Sequence, residues 1–287
     1  MRKSISIAIM LLFVYMLSYA GEWNGINSQD HKPAEVQLIS SSNQSSRILF
    51  RVPGFEITEV ETESGPASVI SLEDASPLLE AGSPDVLKIT ASVIIPDMAG
   101  MDVRVISSDY TDMENILLAP SKGNLTRDID PATVPYTFGE AYNINEFFPG
   151  TLAELRDPYI IRDYRGQTAI VYPFQYNPVT KTLRVYHSME IEVFKENNNG
   201  KNLLVRDNFP EKISREFSAI YDRHFLNEPD QLMDYTPVSE HGNMLIISYG
   251  AFISAVQPLA DWRKQTGTPV EIVDVADIGG SAQIKTY

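Results

Sequence analysis

The stretch Thr168–Phe194, "TAIVYPFQYNPVTKTLRVYHSMEIEVF", decides the fold class. Its middle, Asn177-Pro178-Val179-Thr180, predicts a turn, because the proline ring presets the φ that the second residue of a β-turn needs. Beyond the turn, Leu183, Val185, Met189, Ile191 and Val193 fall on one side of a strand. Arg184, Ser188, Glu190 and Glu192 fall on the other. Successive strand residues point to opposite faces, so one face is core and the other is wet. That alternation predicts a hairpin in an antiparallel sheet.

Toward the N-terminus the same signal recurs. Ile48, Phe50 and Val52 alternate with Leu49 and Arg51. "FEITEVET" follows Pro53-Gly54, and "ASVISLE" follows Gly65-Pro66. "VLKITASVIIP" sets Leu87, Ile89, Ala91, Val93 and Ile95 on one face, and "MDVRVISS" repeats the pattern with Val103 and Val105. Short strands at this spacing, divided by Gly, Pro, Asn and Asp, predict a sandwich or jelly roll. Residues 21–46 are polar and turn-rich, an arm with one edge strand. Between Ala119 and Pro149 the alternation lapses into a long loop, and loops of that length are uncommon without a function.

Toward the C-terminus the period changes. Ile213, Phe217, Ile220, Tyr221 and Phe225 recur at spacings of three and four, predicting an amphipathic helix ended by Pro229. "NEPDQLMDYTPVSEHGN" then reads as a polar linker. Met244–Ser248 predicts a buried strand and Phe252–Gln265 a helix, with Pro258 near its first turns and Gly267 as its C-cap. "PVEIVDV" predicts a second, parallel strand, and Ser281 the N-cap of a further helix. The expected fold is mostly β: an antiparallel β-sandwich or jelly-roll-like domain over residues 21–205, a linker helix and junction over 206–234, and the start of an α/β domain over 235–287. Two parallel strands cannot cover both their faces, so the chain is expected to be the front part of a longer protein.

Composition narrows the function classes. A net charge of -15 and a pI of about 4.7 argue against nonspecific binding to nucleic acid or to an anionic membrane. Arg2 and Lys3, the apolar run Ile5–Leu17 and the small residues of Ser18-Tyr19-Ala20 read as a cleaved secretory signal over residues 1–20. Its removal leaves no segment long and apolar enough to span a membrane. Cysteine is absent, so the chain has no thiol nucleophile or thiolate metal ligand. No GxGxxG, P-loop or HExxH occurs, and His31, His187, His224 and His241 are scattered. Asp109, Asp112 and Glu114, like Asp128 and Asp130, lack the calcium-loop pattern and read as solvated turn acids. No metal and no cofactor are expected.

Two stretches carry a resemblance. "RDYRGQTAIVYPFQYNPVTKTLRVYHSMEIEV", followed by "FSAIYDRHFLN", resembles the prodomain of gingipain-type cysteine peptidases. "DYTPVSEHGNMLIISYGAFISAVQPLADWRKQTGTPVEIVDVADIG" resembles the start of their catalytic domain, and the family's mature enzymes begin at a segment matching Tyr235-Thr236-Pro237-Val238. The resemblance implies a secreted zymogen with a β-sandwich prodomain and a caspase-like α/β peptidase bearing a Cys-His dyad. It implies a prodomain that aids folding and keeps the enzyme latent. It also implies export through the periplasm of a Gram-negative bacterium, often by the type IX route, to the cell surface or beyond. The expected partners are the chain's own downstream catalytic domain and the export machinery.

In that family the dyad lies downstream, so no catalytic residue is expected in this chain, and alone it is expected to be inactive. The family matures after a basic residue, whereas the corresponding junction here is Asp234-Tyr235 and the nearest upstream basic residue is Arg223. A prodomain that blocks a peptidase of basic specificity would offer a cation to an acidic pocket. The loop before Phe138-Gly139 offers Lys122 and Arg127, flanked by turn residues that let them project. The plainer reading makes them solvated charges balanced by Asp128 and Asp130. A rival for the whole chain is a secreted β-sandwich that binds or adheres, attached to a degenerate peptidase-like segment.

Overall fold

The computed structural model describes residues 21–206, 214–227 and 242–287. The expected signal segment 1–20 and the expected junction Asp234-Tyr235 lie outside the described residues. The chain divides into two units, one containing residues 21–206 and 221–227, the other 214–220 and 242–287.

The first unit is built of β1 (Glu22–Gly25), β2 (Glu35–Ser41), β3 (Ser45–Arg51), β4 (Gly54–Thr62), β5 (Gly65–Ser71), β6 (Ser76–Pro77) and β7 (Leu87–Ile94). These are followed by β8 (Gly100–Met113), β9 (Ala153–Leu155), β10 (Tyr159–Ile161), β11 (Tyr164–Val171), β12 (Phe174–Asn177) and β13 (Thr182–Asn197). They form three antiparallel sheets: β1-β4-β5, β10-β11-β7-β6 with β9 also on β11, and β12-β13-β3-β2 with β8 also on β13. All three contribute to one core, in which Phe55 of β4 meets Phe174 of β12 edge-on at 5.3 Å. The arm over residues 21–46 therefore supplies two strands rather than one, each at a sheet edge.

β13 is the axis of this unit. Leu183, Val185, Met189, Ile191 and Val193 are fully buried, as their alternation requires. β8 pairs along one edge from Leu183 to Asn197, while β12 and β3 occupy successive parts of the other. The handover falls at a bulge at His187. There Tyr186 N–H donates to Pro173 O at 2.7 Å and His187 O accepts from Val52 N–H at 3.1 Å. These two bonds carry the pairing of this edge from β12 to β3, as a buried strand requires.

The hairpin differs from its sequence reading in one respect. The turn lies where expected, closed by Asn177 Oδ1 accepting from Val179 N–H at 3.1 Å and Thr180 N–H at 3.2 Å, with Lys181 at φ 54. The preceding strand, however, is cut at Tyr172-Pro173. β11 pairs with β7 in one sheet and β12 with β13 in another. Pro173 has no N–H to continue a ladder, and buried Val171 and Phe174 on either side make the crossing part of the core.

Two polar residues fasten the end of this unit at which Gly166 of β11 faces Ile94 of β7. Arg165 is fully buried and donates only to carbonyls: Nε to Asn202 O (3.0 Å), Nη1 to Pro96 O (2.7 Å) and Ala99 O (2.8 Å), and Nη2 to Lys201 O (2.6 Å). It ties residues 200–202 to 96–99, so closely that a Cβ on Gly200 would lie 2.2 Å from Ala99 O. Helix α1 (Arg215–His224) is shorter than its periodicity suggests and ends well before Pro229. Tyr221 and Phe225 are buried but Ile220 is 44% exposed, while Ile213 lies outside the described residues.

Residues 221–227, within the stretch expected as linker helix and junction, belong to the first unit. Tyr221 Oη donates to Asp163 Oδ2 at 2.7 Å, and Leu226 N–H to Ser92 O at 2.9 Å. Asn227 Oδ1 accepts from Ile94 N–H at 2.6 Å and its Nδ2 donates to Ile94 O at 2.9 Å. β6 pairs only with Leu87 and Lys88, and the tail takes up the groups of β7 farther along. A side-chain amide here does the work of a strand's peptide group on an otherwise open edge. Hydrophobic periodicity carries no sign of such a contact.

The second unit is a β-α-β element. β14 (Met244–Ser248) runs parallel to β15 (Val270–Asp274), with α2 (Ile253–Gln265) between them in sequence, then α3 (Val275–Ile278) and α4 (Ser281–Thr286). β14 is half-buried rather than buried, with Leu245 45% exposed. Phe252 lies in the 3-10 turn Gly250–Phe252 ahead of α2, and Gly267 at φ 88 follows its end as expected. Ser281 is the first residue of α4, whose N-cap is Gly280. The unexpected short α3 is capped by Asp274 Oδ1, which accepts from Ala276 N–H at 2.9 Å. Tyr249, Phe252, Leu259 and Trp262 are exposed, as expected of two strands with one helix.

Replacing Asn227 by Ala should leave the N–H and C=O of Ile94 without partners. The expected loss is about 1–3 kcal/mol of unfolding free energy for the first unit, read from urea denaturation. A change below about 0.5 kcal/mol, ordinary for a surface site, would show that the tail is not fastened there.

Candidate functional site

Residues 114–152, between β8 and β9, contain no named strand and only the 3-10 turns Pro131–Thr133 and Glu140–Asn143. The outgoing limb is anchored first. Leu118 and Ala119 are fully buried, and Leu118 bridges to Ser68 of β5 through Ser68 N–H to Leu117 O (2.7 Å) and Ala119 N–H to Ser68 O (2.8 Å). Tyr176 of β12 holds both limbs. Its hydroxyl donates to Ile116 O at 2.8 Å and accepts from Leu118 N–H at 3.2 Å. Its backbone exchanges two 2.9 Å bonds with Phe148 on the returning limb. Tyr142 Oη adds a bond to Leu118 O at 2.8 Å. Burial pushes both phenols above their ordinary range, so they stay neutral donors.

The loop closes on Gly82. Its N–H donates to Ser121 O at 2.9 Å, and its carbonyl accepts from Gly139 N–H at 2.9 Å. One residue thus joins the two limbs and defines a neck, from which residues 122–138 project. Gly82 has φ 80, a conformation in which side chains are strained, and a Cβ on Gly139 would lie 2.9 Å from Gly82 O.

Within the loop the two basic residues are treated differently. Lys122 is turned back: Nζ donates to Pro131 O at 2.8 Å and lies 4.1 Å from the centre of the Tyr136 ring. Asp130 Oδ1 accepts from Ala132 N–H at 2.9 Å and starts the turn over Pro131–Thr133. Ile129 N–H donates to Thr126 O at 3.0 Å, folding the chain around Arg127-Asp128. Arg127 is exposed. The Thr126 hydroxyl, followed by Asp128's own N–H, holds the Asp128 carboxyl below the usual carboxylate range. The expectation that both cations project therefore separates into one that is engaged and one that is exposed.

Gly82, Gly139, Tyr142 and Tyr176 were not singled out from sequence. Only the positive-φ tendency of glycine in "EAGSPDV" hinted at the neck. The histidines and acids singled out from sequence stand apart from one another among the described residues. His31 stacks on Trp23 at 4.6 Å, His224 Nε2 lies 2.7 Å from Tyr159 Oη, His187 sits in the β13 bulge, and His241 lies outside the described residues. Asp112 is engaged by Arg184 through two 2.8 Å bonds. Among the described residues no group of three His, Cys, Asp or Glu side chains could hold a metal. None of their helices is long and apolar enough to cross a membrane. A separate cleft of about 440 Å³, bordered by Glu154, Arg156, Gln167 and Glu196, contains none of the expected site residues, and its Asp157 and Lys201 pair at 2.9 Å.

Comparison with known proteins completes the description. Residues 27–223 match the family Propeptide_C25 and residues 238–287 match Peptidase family C25. Gingipain R1 of Porphyromonas gingivalis is 35% identical over 282 residues, covering 97% of this chain and 16% of that protein. Gingipain R2 of the same organism is 34% identical over 248 residues, covering 85% of this chain and 33% of that protein. The chain thus spans a third or less of the length of these relatives. The complex of Porphyromonas gingivalis RgpB pro- and mature domains contains a chain that is 35% identical with a TM-score of 0.62, covering 67% of this chain and 96% of that one. A structure concerning the zymogenic latency of gingipain K shares the fold at 24% identity, with a TM-score of 0.52 and coverage of 62% and 99%.

A Gly82→Val substitution puts a branched side chain at positive φ against Gly139, at a cost of about 1–3 kcal/mol concentrated in the neck. Trypsin should then cut after Arg127 faster than in the unsubstituted chain. Gly242→Val, at a glycine with nothing within 4 Å, is the control and should leave the rate unchanged. Equal rates in all three proteins would show that Gly82 does not close the loop.

Proposed function

Because the chain belongs to peptidase family C25, with the family's propeptide over residues 27–223 and the beginning of its peptidase over residues 238–287, we propose that its first unit folds with and silences a gingipain-like cysteine endopeptidase. The observation that carries this reading is the stapled loop, which presents exposed Arg127 from a neck bonded on both limbs. A plug must be held in one shape before it meets its target, since ordering it on binding would cost affinity. The hydrogen bonds through Gly82, Tyr142 and Tyr176 meet that need.

Arg127 is the favoured group for the acidic pocket, since Lys122 would have to give up Pro131 O and the Tyr136 ring to reach one. A guanidinium also pairs with a carboxylate through two parallel bonds, which an ammonium cannot do. The better match to the R-type gingipains than to Lys-gingipain, which is 26% identical, supports the same choice. The reaction of the whole protein is peptide-bond hydrolysis by a thiolate and a histidine supplied outside this chain, which contains no cysteine. Processing at Asp234-Tyr235 follows an acidic residue, so a peptidase other than one of basic specificity makes that cut. Export through the periplasm to the cell surface or medium, led by residues 1–20, belongs to the same proposal.

Residues 21–234, added to separately made active enzyme, should inhibit it. Arg127→Ala should weaken the inhibition constant at least tenfold, or about 1.4 kcal/mol, and Lys122→Ala by less than that. A larger effect at Lys122 would reverse the assignment, and no inhibition by the unsubstituted segment would remove the latency role. In the precursor, limited proteolysis should first nick between Asn227 and Asn243. First cuts inside β13 would contradict the boundary.

A further inference from the structure

Asp85 lies where the limbs of the loop meet. Its backbone N–H donates to Ala119 O at 3.1 Å, and the Ser121 side chain hydrogen-bonds its carboxylate. Its Oδ1 is buried without a hydrogen-bond partner. The returning limb brings Tyr136 and the turn after it Tyr142, and the negative charge of Asp85 contributes to keeping both phenols neutral. Neither group compensates it as a cation would, and the Tyr142 hydroxyl is committed to Leu118 O. Tyr176 lies behind Tyr142, their ring centres 6.4 Å apart. On Asp85's own segment, Glu80 Oε1 accepts from the Ser83 hydroxyl at 2.9 Å and adds negative charge. The loop's lysine, Lys122, is engaged with Pro131 O and the Tyr136 ring.

The neck therefore holds a carboxylate with one hydroxyl donor, two neighbouring phenols, no salt-bridge partner among the described residues, and an oxygen shut away from water. Ionised, such a group opposes close packing, and protonated it does not. We propose that Asp85 is a proton-operated latch on the loop, holding the neck closed when its carboxyl is protonated and loosening it when ionised. The consequence for latency rests on the reading of the loop as the plug, while the latch itself depends only on the neck.

The direction follows from linkage. Burial raises the Asp85 carboxyl in the closed neck, and the Ser121 bond opposes this only in part. The stabilisation is then fully present below the ordinary carboxylate range and is lost as pH rises through the raised value. The plug is held most firmly in acid.

The test is hydrogen exchange of the Gly82, Ser121 and Gly139 amides in the full chain at pH 4 and pH 8, corrected for intrinsic rates. Protection should fall at the higher pH, the direction that the raised carboxyl requires. In Asp85→Asn it should be the same at both. Equal protection in the unsubstituted chain, or the same fall in Asp85→Asn, overturns the proposal. Should Asp85→Asn fail to fold, a carbon NMR titration of the unsubstituted chain decides. A raised Asp85 midpoint shared by the Gly82 and Gly139 amides supports the latch, and an ordinary or unshared one sinks it. These measurements read the neck alone, so absent inhibition, which defeats the plug reading, is told apart from failure of the latch.

Discussion

The pairing of β13 on both edges is the constraint from which the rest of the first unit follows. A 16-residue strand with a fully buried face can be accommodated only if neighbours take up its peptide groups along its length. β8 does so on one side, and β12 and β3 share the other. The bulge at His187, in the pairing with β8, falls level with the point where β12 ends and β3 begins on the other edge. β12 is fixed in this way, and with it Tyr176.

Through Tyr176 the core reaches the loop. The side chain grips the outgoing limb and the backbone grips the returning one, so the separation of the limbs is set by the width of a single residue in a buried strand. Gly82 then closes the neck from the opposite segment. A hydrogen bond contributes only about 1 kcal/mol on balance, but leaving a buried group unpaired costs more. Loosening this network in one place therefore exposes the others. Asp85 adds to this network a buried oxygen without a hydrogen-bond partner.

One end of the first unit is fastened by polar side chains. Arg165 gathers four carbonyls there, and Asn227 imitates a strand beside it at Ile94, which faces Gly166 across the β7–β11 ladder. Residues 221–227, the end of α1 and the tail after it, are consequently part of the first unit. In the second unit Tyr249, Phe252, Trp262 and Tyr287 are exposed.

The alternation in Leu183–Val193, Leu87–Ile95 and Ile48–Val52 was enough to establish antiparallel strands with one buried face, because burial on a pleated strand has a period of two. The change of period in the helix, the β-α-β order at the end and the long loop were legible for the same reason, and so was Arg127 as a basic residue within that loop. The division of Thr168–Asn177 between two sheets was not, since both halves are apolar and only the partners distinguish them. Nor was the neck. Gly82, Ser121, Gly139, Tyr142, Tyr176 and Asp85 are scattered along the chain, and their relation exists only as hydrogen bonds between segments. The sequence by itself determined which residues turn inward, because that depends on local periodicity. Which segments meet, and so which lysine is held and which arginine is presented, was decided by tertiary structure, because a hydrogen bond between distant residues leaves no periodic trace.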